Sequence, residues 1–322
     1  MHLTTDFQYL SDETLRRLGI APREIADAIE TAIRQKAGGT LHVAPKSAVV
    51  PGTGRYMMAT LSVGDGPGLT VVKVATVSPD NQLRDLPSIN GAILALDAET
   101  GLLRAVLDAN WITAVRTAGL SVVAARRLAD PGSTSIAFVG CGVQAQSHLR
   151  AMADVFPLRE VRAFGRGRAN VEALCKAAHA MGLSATAPDD PRTALQGADI
   201  VVTSVPLDYS IEPFLDARWL KPGAFAAITD LMIPWMPDGL DGFACVIVDD
   251  REQEASNPKP MAPPHLVAGD LTDLVAGRDP PGRSAEKPSA FAFRGIALGD
   301  FAATALALSR AEERDAGQRI GA

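Results

Sequence analysis

The sequence is poor in side chains that bind metals or cycle between redox states. It holds 3 cysteines (Cys141, Cys175 and Cys245) and 5 histidines in 322 residues. The cysteines lie far apart with no Cys-x-x-Cys pair, so they read as reduced thiols in a cytoplasmic protein. The histidines make no His-Glu-x-x-His or related cluster, and no metal is expected. Long apolar runs are missing too. None approaches the ~20 residues that span a bilayer, so no membrane partner is expected. The first residues, Met1 to Asp6, lack a basic stretch leading into an apolar one, which excludes a secretory signal from the reading. There is no excess of positive charge either. The formal net charge is −6, which argues against a nucleic-acid partner, because phosphate backbones are bound by basic surface. A small anionic ligand stays compatible, since a local pocket can oppose the global sign.

What is present is core-forming material: 47% hydrophobic against 21% charged residues. The length suits one large or two ordinary domains. Leu10, Leu15, Leu18, Ile25, Ile29 and Ile33 recur near helical spacing and predict a helix over 9–37. Strands are predicted at 40–50, 70–77, 91–97 and 102–108, the last two joined by a hairpin at 98–101. A helix is predicted from Thr113, as N-cap, to about Ala129, where Asp130-Pro131-Gly132 stops it. From Ser135 strands and helices alternate, with strands at 135–139, 160–164, 199–205, 224–229 and 245–248 and a helix at 170–181. That rhythm predicts an α/β fold with a doubly wound parallel sheet. The four prolines between Asn257 and His265 predict a loop, and an amphipathic helix is expected over about 298–313. The expected domains are 1–112 with 296–322, built on a sheet, and 113–295, a Rossmann-type doubly wound unit.

The stretch Ile136-Ala137-Phe138-Val139-Gly140-Cys141-Gly142-Val143-Gln144-Ala145 is an apolar strand running into Gly-x-Gly-x-x-Ala. Gly140 permits the tight turn, Gly142 lets the backbone approach a pyrophosphate, and Ala145 lets helix and strand pack closely. The following strand, which in NAD-binding units often ends in an acid that binds ribose hydroxyls, ends here in Phe164-Gly165-Arg166-Gly167-Arg168. Either Arg166 or Arg168 pairs a 2′-phosphate, as NADP would need, or Arg166 merely stacks on the adenine, so NAD(H) and NADP(H) both remain open.

Three charged residues stand where charge is costly or functional. Lys73 interrupts the apolar strand 70–77 and must reach an anion or water, unless the strand is an exposed edge. Arg116 in a helical first turn opposes the helix dipole and makes sense beside a bound anion, unless it snorkels over the surface. Asp230 follows a predicted parallel strand at the end where α/β sheets place ligands, although a turn aspartate would look the same. Cys141 reads as a small filler, His148 as helix surface or packing, Trp111 as pocket-lining or packing, and Asp249-Asp250-Arg251-Glu252 as a solvated strand end.

Lys73, Pro79-Asp80-Asn81, Leu86-Pro87, Thr100-Gly101, Ile112-Thr113-Ala114-Val115-Arg116-Thr117-Ala118 and the glycine turn follow one another as they do in the ornithine cyclodeaminase/mu-crystallin family, which this sequence resembles over about residues 40–310. Gly295 and Asp300 are similar to its closing motif. The resemblance implies a homodimer formed through the first domain and a nicotinamide cofactor on the second. It implies that Lys46, Lys73 and Arg116 serve a substrate carboxylate and that Asp230 handles the substrate nitrogen. Thr113, Thr117, Gly140, Gly142, Val143, Gln144, Arg166, Ser204, Val205 and Asp230 are the expected cofactor contacts.

Two departures narrow the expectation. Lys46 stands where the family usually has arginine, which loses a bidentate fork. Tyr56, beside Arg55, stands where cyclodeaminases carry glutamate. An acid lost and cations gained disfavour a diamine and suit an imino dicarboxylate, with Lys46, Arg55 and Tyr56 lining the substrate end. The expectation is therefore an NAD(P)H-dependent reductase of an α-imino acid, with iminosuccinate, giving aspartate, as the leading substrate. Lys73, Arg116 and Asp230 would carry the chemistry. The alternatives are an ornithine cyclodeaminase-type reaction and a non-catalytic ligand-binding protein.

Overall fold

A computed structural model describes residues 6–51 and 54–321; the reading of residues 1–5 lies outside them. In chain order the elements are β1 (Phe7–Leu10), α1 (Asp12–Arg17), α2 (Pro22–Ala37), β2 (Leu41–Val43), β3 (Ser47–Val49), β4 (Tyr56–Gly64), β5 (Leu69–Val77), β6 (Ile89–Asp97), β7 (Leu103–Asp108) and α3 (Ala109–Leu128). Then follow β8 (Ser135–Val139), α4 (Val143–Ala153), β9 (Glu160–Phe164), α5 (Arg168–Ala180), β10 (Ser184–Thr186), α6 (Pro191–Leu195), β11 (Ile200–Thr203) and β12 (Phe225–Ile228). The chain ends with β13 (Cys245–Val248), α7 (Arg251–Ala255), β14 (Val267–Asp270), α8 (Leu271–Val275), β15 (Ser289–Ala292), α9 (Ala297–Glu313) and β16 (Gln318–Ile320). Contacts divide it into two compact units, 1–116 with 296–322 and 117–295. The division falls after Arg116, inside α3, rather than after Ile112.

The first unit is a mixed sheet in the order β16-β1-β7-β6-β5-β4-β2, with β3 paired to β4. Residues 9–37 are not one helix. Leu10 belongs to β1, paired with Leu107 of β7, and Gly19, at φ +60°, with Pro22 separates α1 from α2. Glu24 accepts the Ala21 N–H at 2.7 Å and caps α2, whose buried face is Ile25, Ile29 and Ile33. β4 has no simple apolar alternation. Its Thr60, Ser62 and Gly64 face inward and are buried, and a Cβ on Gly64 would overlap the Phe301 ring of α9. In β5 the inward residues are Leu69, Val71, Lys73 and Ala75.

The second unit is a parallel sheet in the order β10-β9-β8-β11-β12-β15-β13-β14. The chain starts at β8 and winds outward in both directions, so the carboxyl ends of β8 and β11 mark the point where strand order reverses, the place such sheets use for ligands. β8, β11, β12, β13 and β15 are buried along their whole length, as a sheet covered on both faces requires.

Candidate functional site

Within the first unit the strand lysine is central and enclosed. β5 lies between β4 and β6, and Lys73 is 1% exposed, so it is not on an exposed edge. Its Nζ donates to Asp300 Oδ1 at 2.8 Å, and Thr60 Oγ1 donates to Asp300 Oδ2 at 3.2 Å. Burial pulls the Lys73 ammonium down to about 8; Asp300 opposes this, while Arg116 and Lys46 add to it. Burial alone would raise Asp300, yet Lys73 and Arg116 hold its carboxyl below the usual range.

The position of Arg116 differs from the expectation. α3 begins at Ala109, with the Asp108 carboxylate accepting the Asn110 N–H at 2.7 Å. Thr113 is therefore inside the helix and not its N-cap, and Arg116 lies beyond the first turn, so the dipole reasoning does not apply to it. What holds it is Asp300, whose Oδ1 is 3.1 Å from Arg116 Nε. The pair is close enough for attraction but is not aligned as a hydrogen bond, and Nε and Nη1 of Arg116 are buried without a hydrogen-bond partner. Two cations and one carboxylate leave one net positive charge. A buried charged donor left unmatched is unfavourable, and a carboxylate would complete it.

Of the other expected substrate contacts, Lys46 is half-buried and near enough to depress Lys73. Tyr56 opens β4 on the same face as Thr60, opposite Val77. Arg55 is exposed, just ahead of that strand. Asp300 is the residue that sequence reasoning left without a role. The signal for it was indirect: a carboxylate within an apolar helix that had to meet a buried lysine.

In the second unit the glycine turn has the form a dinucleotide needs. Gly140 adopts φ +87°, and a Cβ there would sit 2.5 Å from the Ser204 carbonyl oxygen. Ser204 Oγ donates to the Gly140 carbonyl at 3.0 Å and ties the ends of β8 and β11 together. Gly142 is the N-cap of α4, with no side chain capping the helix and open space where a Cβ would project. No acid stands in the first turn, so its N–H groups suit a pyrophosphate. Val143 is exposed, and Gln144 Oε1 is buried without a partner. Cys141 packs under the turn, its thiol pushed up to about 12 by burial.

Arg166 is exposed after β9, and its charge helps to hold Asp208 low after the larger effect of the Ser210 hydroxyl and N–H. Asp230 is fully buried at the end of β12. It accepts the Thr203 hydroxyl at 3.0 Å and the Val205 N–H at 3.2 Å, yet burial outweighs both and raises it to about 7. Thr113 and Thr117 are buried along α3. His148 is also buried, held near 4 by burial. Its Nδ1 faces the Gln144 carbonyl at 2.8 Å and must donate, so Nε2 accepts from Ser121 at 2.9 Å, a packing role. The Asp249–Glu252 segment is not a solvated strand end. Asp249 is buried and accepts the Gly295 N–H at 2.8 Å, and Asp250 caps α7 through the Gln253 N–H.

Among the described residues no His/Cys/Asp/Glu cluster forms a metal site, and no helix is long and apolar enough to cross a membrane. The model of the ornithine cyclodeaminase/mu-crystallin family matches residues 13–315. The chain is 32% identical over 242 residues to the ketimine reductase mu-crystallin of Rattus norvegicus, covering 73% of this chain and 74% of that protein. It is 31% identical over 264 residues to the delta(1)-pyrroline-2-carboxylate reductase of Paracoccus denitrificans, covering 77% and 81%. The fold is shared with the delta(1)-pyrroline-2-carboxylate reductase of Thermococcus litoralis, solved with NADH and L-proline, at TM-score 0.88 and 21% identity over 98% of this chain and 100% of that one. The α/β fold read from the strand–helix rhythm and the NAD(P)-dependent oxidoreductase class implied by the family resemblance agree with these relatives.

Proposed function

The chain belongs to the ornithine cyclodeaminase/mu-crystallin family, and from that premise we propose that it is an NAD(P)H-dependent reductase that converts an α-imino acid to an L-amino acid. The observation that carries the reading is Arg116. Its buried Nε and Nη1 donors lack a hydrogen-bond partner beside a Lys73–Asp300 pair that leaves one positive charge over. That arrangement suits one α-carboxylate. The glycine turn fits a nicotinamide dinucleotide, because Gly142 leaves clear the space a Cβ would fill before an uncapped helix. Gly140, Gly142, Val143, Gln144, Ser204 and Val205 would hold it. When bound, the nicotinamide supplies hydride for the imine carbon. Lys73 and Arg116 hold and orient the carboxylate. Asp230, half protonated near pH 7, is suited to keep a proton on the imine nitrogen, since an iminium accepts hydride better than a neutral imine. Proton help of this kind is worth roughly 10²–10⁴-fold.

For the finer substrate, iminosuccinate remains the leading choice. A second carboxylate would be met by Lys46 and Arg55, the cations expected at the substrate end. The test mixes the protein with NADH or NADPH, ammonium and one of oxaloacetate, pyruvate, glyoxylate or phenylpyruvate. Cofactor oxidation with oxaloacetate alone supports the dicarboxylate. Oxidation with pyruvate alone removes it and keeps the imine reductase. No oxidation with any of them, together with ammonia release from ornithine, gives the reaction to the cyclodeaminase alternative.

A homodimer through the first unit is part of the same reading. Leu61, Val74 and Leu94 are 43%, 51% and 40% exposed on the outer face of β4, β5 and β6, with Leu61 and Leu94 in register through Val72. Such a contiguous apolar sheet face marks an interface. Val74→Asp should convert a dimer to a folded monomer in light scattering; a wild-type monomer would end the idea.

A further inference from the structure

Asp230 is not the only unusual residue at the end of β12. Leu231 and Met232, which follow it, both adopt the left-handed region, at φ +58° and +59°. Two successive non-glycine residues there are strained and persist only where their surroundings demand it. The turn curls the backbone so that the Met232 N–H faces the Asp230 carboxylate. It then closes through the Ile233 N–H to the Asp230 carbonyl at 3.1 Å and the Trp235 N–H to the Met232 carbonyl at 3.0 Å. Trp235 is fixed by a bridge to Leu215 and by ring contact with Phe243, centroids 5.1 Å apart.

The strained turn therefore delivers the Trp235 indole back to the end of β11, beside Asp230. Trp235 Nε1 donates to Thr203 Oγ1 at 3.5 Å, and Thr203 Oγ1 donates to Asp230 Oδ1 at 3.0 Å. With Asp230 ionised the order is fixed: indole N–H is only a donor, so the Thr203 oxygen accepts from it, and the carboxylate accepts the hydroxyl proton. Thr203 and Asp230 are 0% exposed and Trp235 is 2% exposed, so water does not compete. The groups facing the Asp230 carboxylate are the Val205 N–H from the loop after β11, the Thr203 hydroxyl from β11, and the N–H groups of Asp230 itself and of Met232 in its own turn. No charged side chain stands among the leading influences on its ionisation.

We propose that Thr203 is the positioning residue for Asp230: its hydroxyl, aimed by Trp235, fixes one carboxylate oxygen and stabilises the ionised form, so that the other oxygen can exchange a proton. The catalytic meaning rests on the reading of Asp230 as the proton-handling group; the chain Trp235–Thr203–Asp230 is itself a statement about this molecule's hydrogen bonds. Thr203→Val keeps the shape and removes the donor. Loss of a hydrogen bond to a charged group corresponds to about one to two pH units. The direction is upward, because the lost donor favoured the carboxylate.

The test has a readout free of catalysis. Asp230 is raised in the folded state, so relative to Asp230→Asn the protein loses stability as pH rises from the ordinary carboxylate range to about 7 and runs parallel above it. Measured by urea unfolding, the pH at which the curves become parallel reports Asp230. In Thr203→Val, compared with Thr203→Val/Asp230→Asn, that point should move up by about one to two units. Thr203→Ser should restore it, and Trp235→Phe should move it the same way by less. An unmoved point in Thr203→Val, or the same shift in Thr203→Ser, overturns the proposal. Imine reduction by Asp230→Asn is measured alongside. A fully active variant refutes the proton-handling reading and leaves the positioning result to stand or fall on the unfolding curves.

Discussion

Asp300→Asn tests the electrostatics of the first unit most severely. Asp300 Oδ1 alone faces Lys73 Nζ at 2.8 Å and Arg116 Nε at 3.1 Å, and all three residues are at least nine-tenths buried. Asparagine keeps the oxygen and removes the charge, so two buried cations are left facing each other. Removing one partner of a buried ion pair is worth about 3–5 kcal/mol. At about 2–4 °C per kcal/mol for a unit of this size, Tm should fall by roughly 6–20 °C. The specific signature is rescue. Lys73→Met/Asp300→Asn returns the cluster to one net positive charge on Arg116, so it should be more stable than Asp300→Asn alone. The assay is a double-mutant cycle by denaturant unfolding, with a coupling of about 0.5–3 kcal/mol expected for contacting residues. Additive effects, or an Asp300→Asn protein with unchanged Tm, would refute the claim that Asp300 balances both cations.

Three further outcomes follow from the same geometry. Lys73 loses its proton near pH 8, so KM for a carboxylate substrate should rise as pH passes upward through that value with kcat less affected; a flat KM from pH 7 to 9 removes Lys73 from carboxylate binding. Gly140→Ala places a Cβ against the Ser204 carbonyl at a positive φ, so it should weaken dinucleotide binding at least tenfold in fluorescence titration, and unchanged affinity would mean the turn does not hold the cofactor. Arg166→Ala should selectively weaken NADPH if that guanidinium meets a 2′-phosphate; equal loss for NADH and NADPH assigns it to stacking instead.

Much of the second unit was legible because its signals are local. An apolar strand that runs into Gly140-Cys141-Gly142 has few other uses, and β8, β9 and β13 fall at the boundaries their apolar runs suggest. The strands β10, β14 and β15 escaped notice because they are three or four residues long and are defined by their neighbours in the sheet. β4 escaped because the small residues of its inner face, Thr60 and Gly64, meet α9, which lies more than two hundred residues away in the chain. The same distance hid the pairing of Lys73 with Asp300. A lysine within an apolar strand announces that it needs an anion, but only the fold says which one. The reading of Arg116 reached a useful residue through a wrong helix start: Asp108 caps α3, so the cation is explained by Asp300 and not by a dipole.

Net hydride transfer to the α-carbon of an imino acid whose carboxylate meets Lys73 and Arg116 can be followed directly. The most direct measurement supplies cofactor deuterated at C4 of the nicotinamide, with ammonium and the active 2-oxo acid, and follows the amino acid product by mass spectrometry and oxidised cofactor by absorbance. A single deuterium at the α-carbon of the L-amino acid and one oxidised cofactor per product are expected, with both lost in Arg116→Ala. Product without deuterium, or turnover with no net cofactor oxidation, would contradict it.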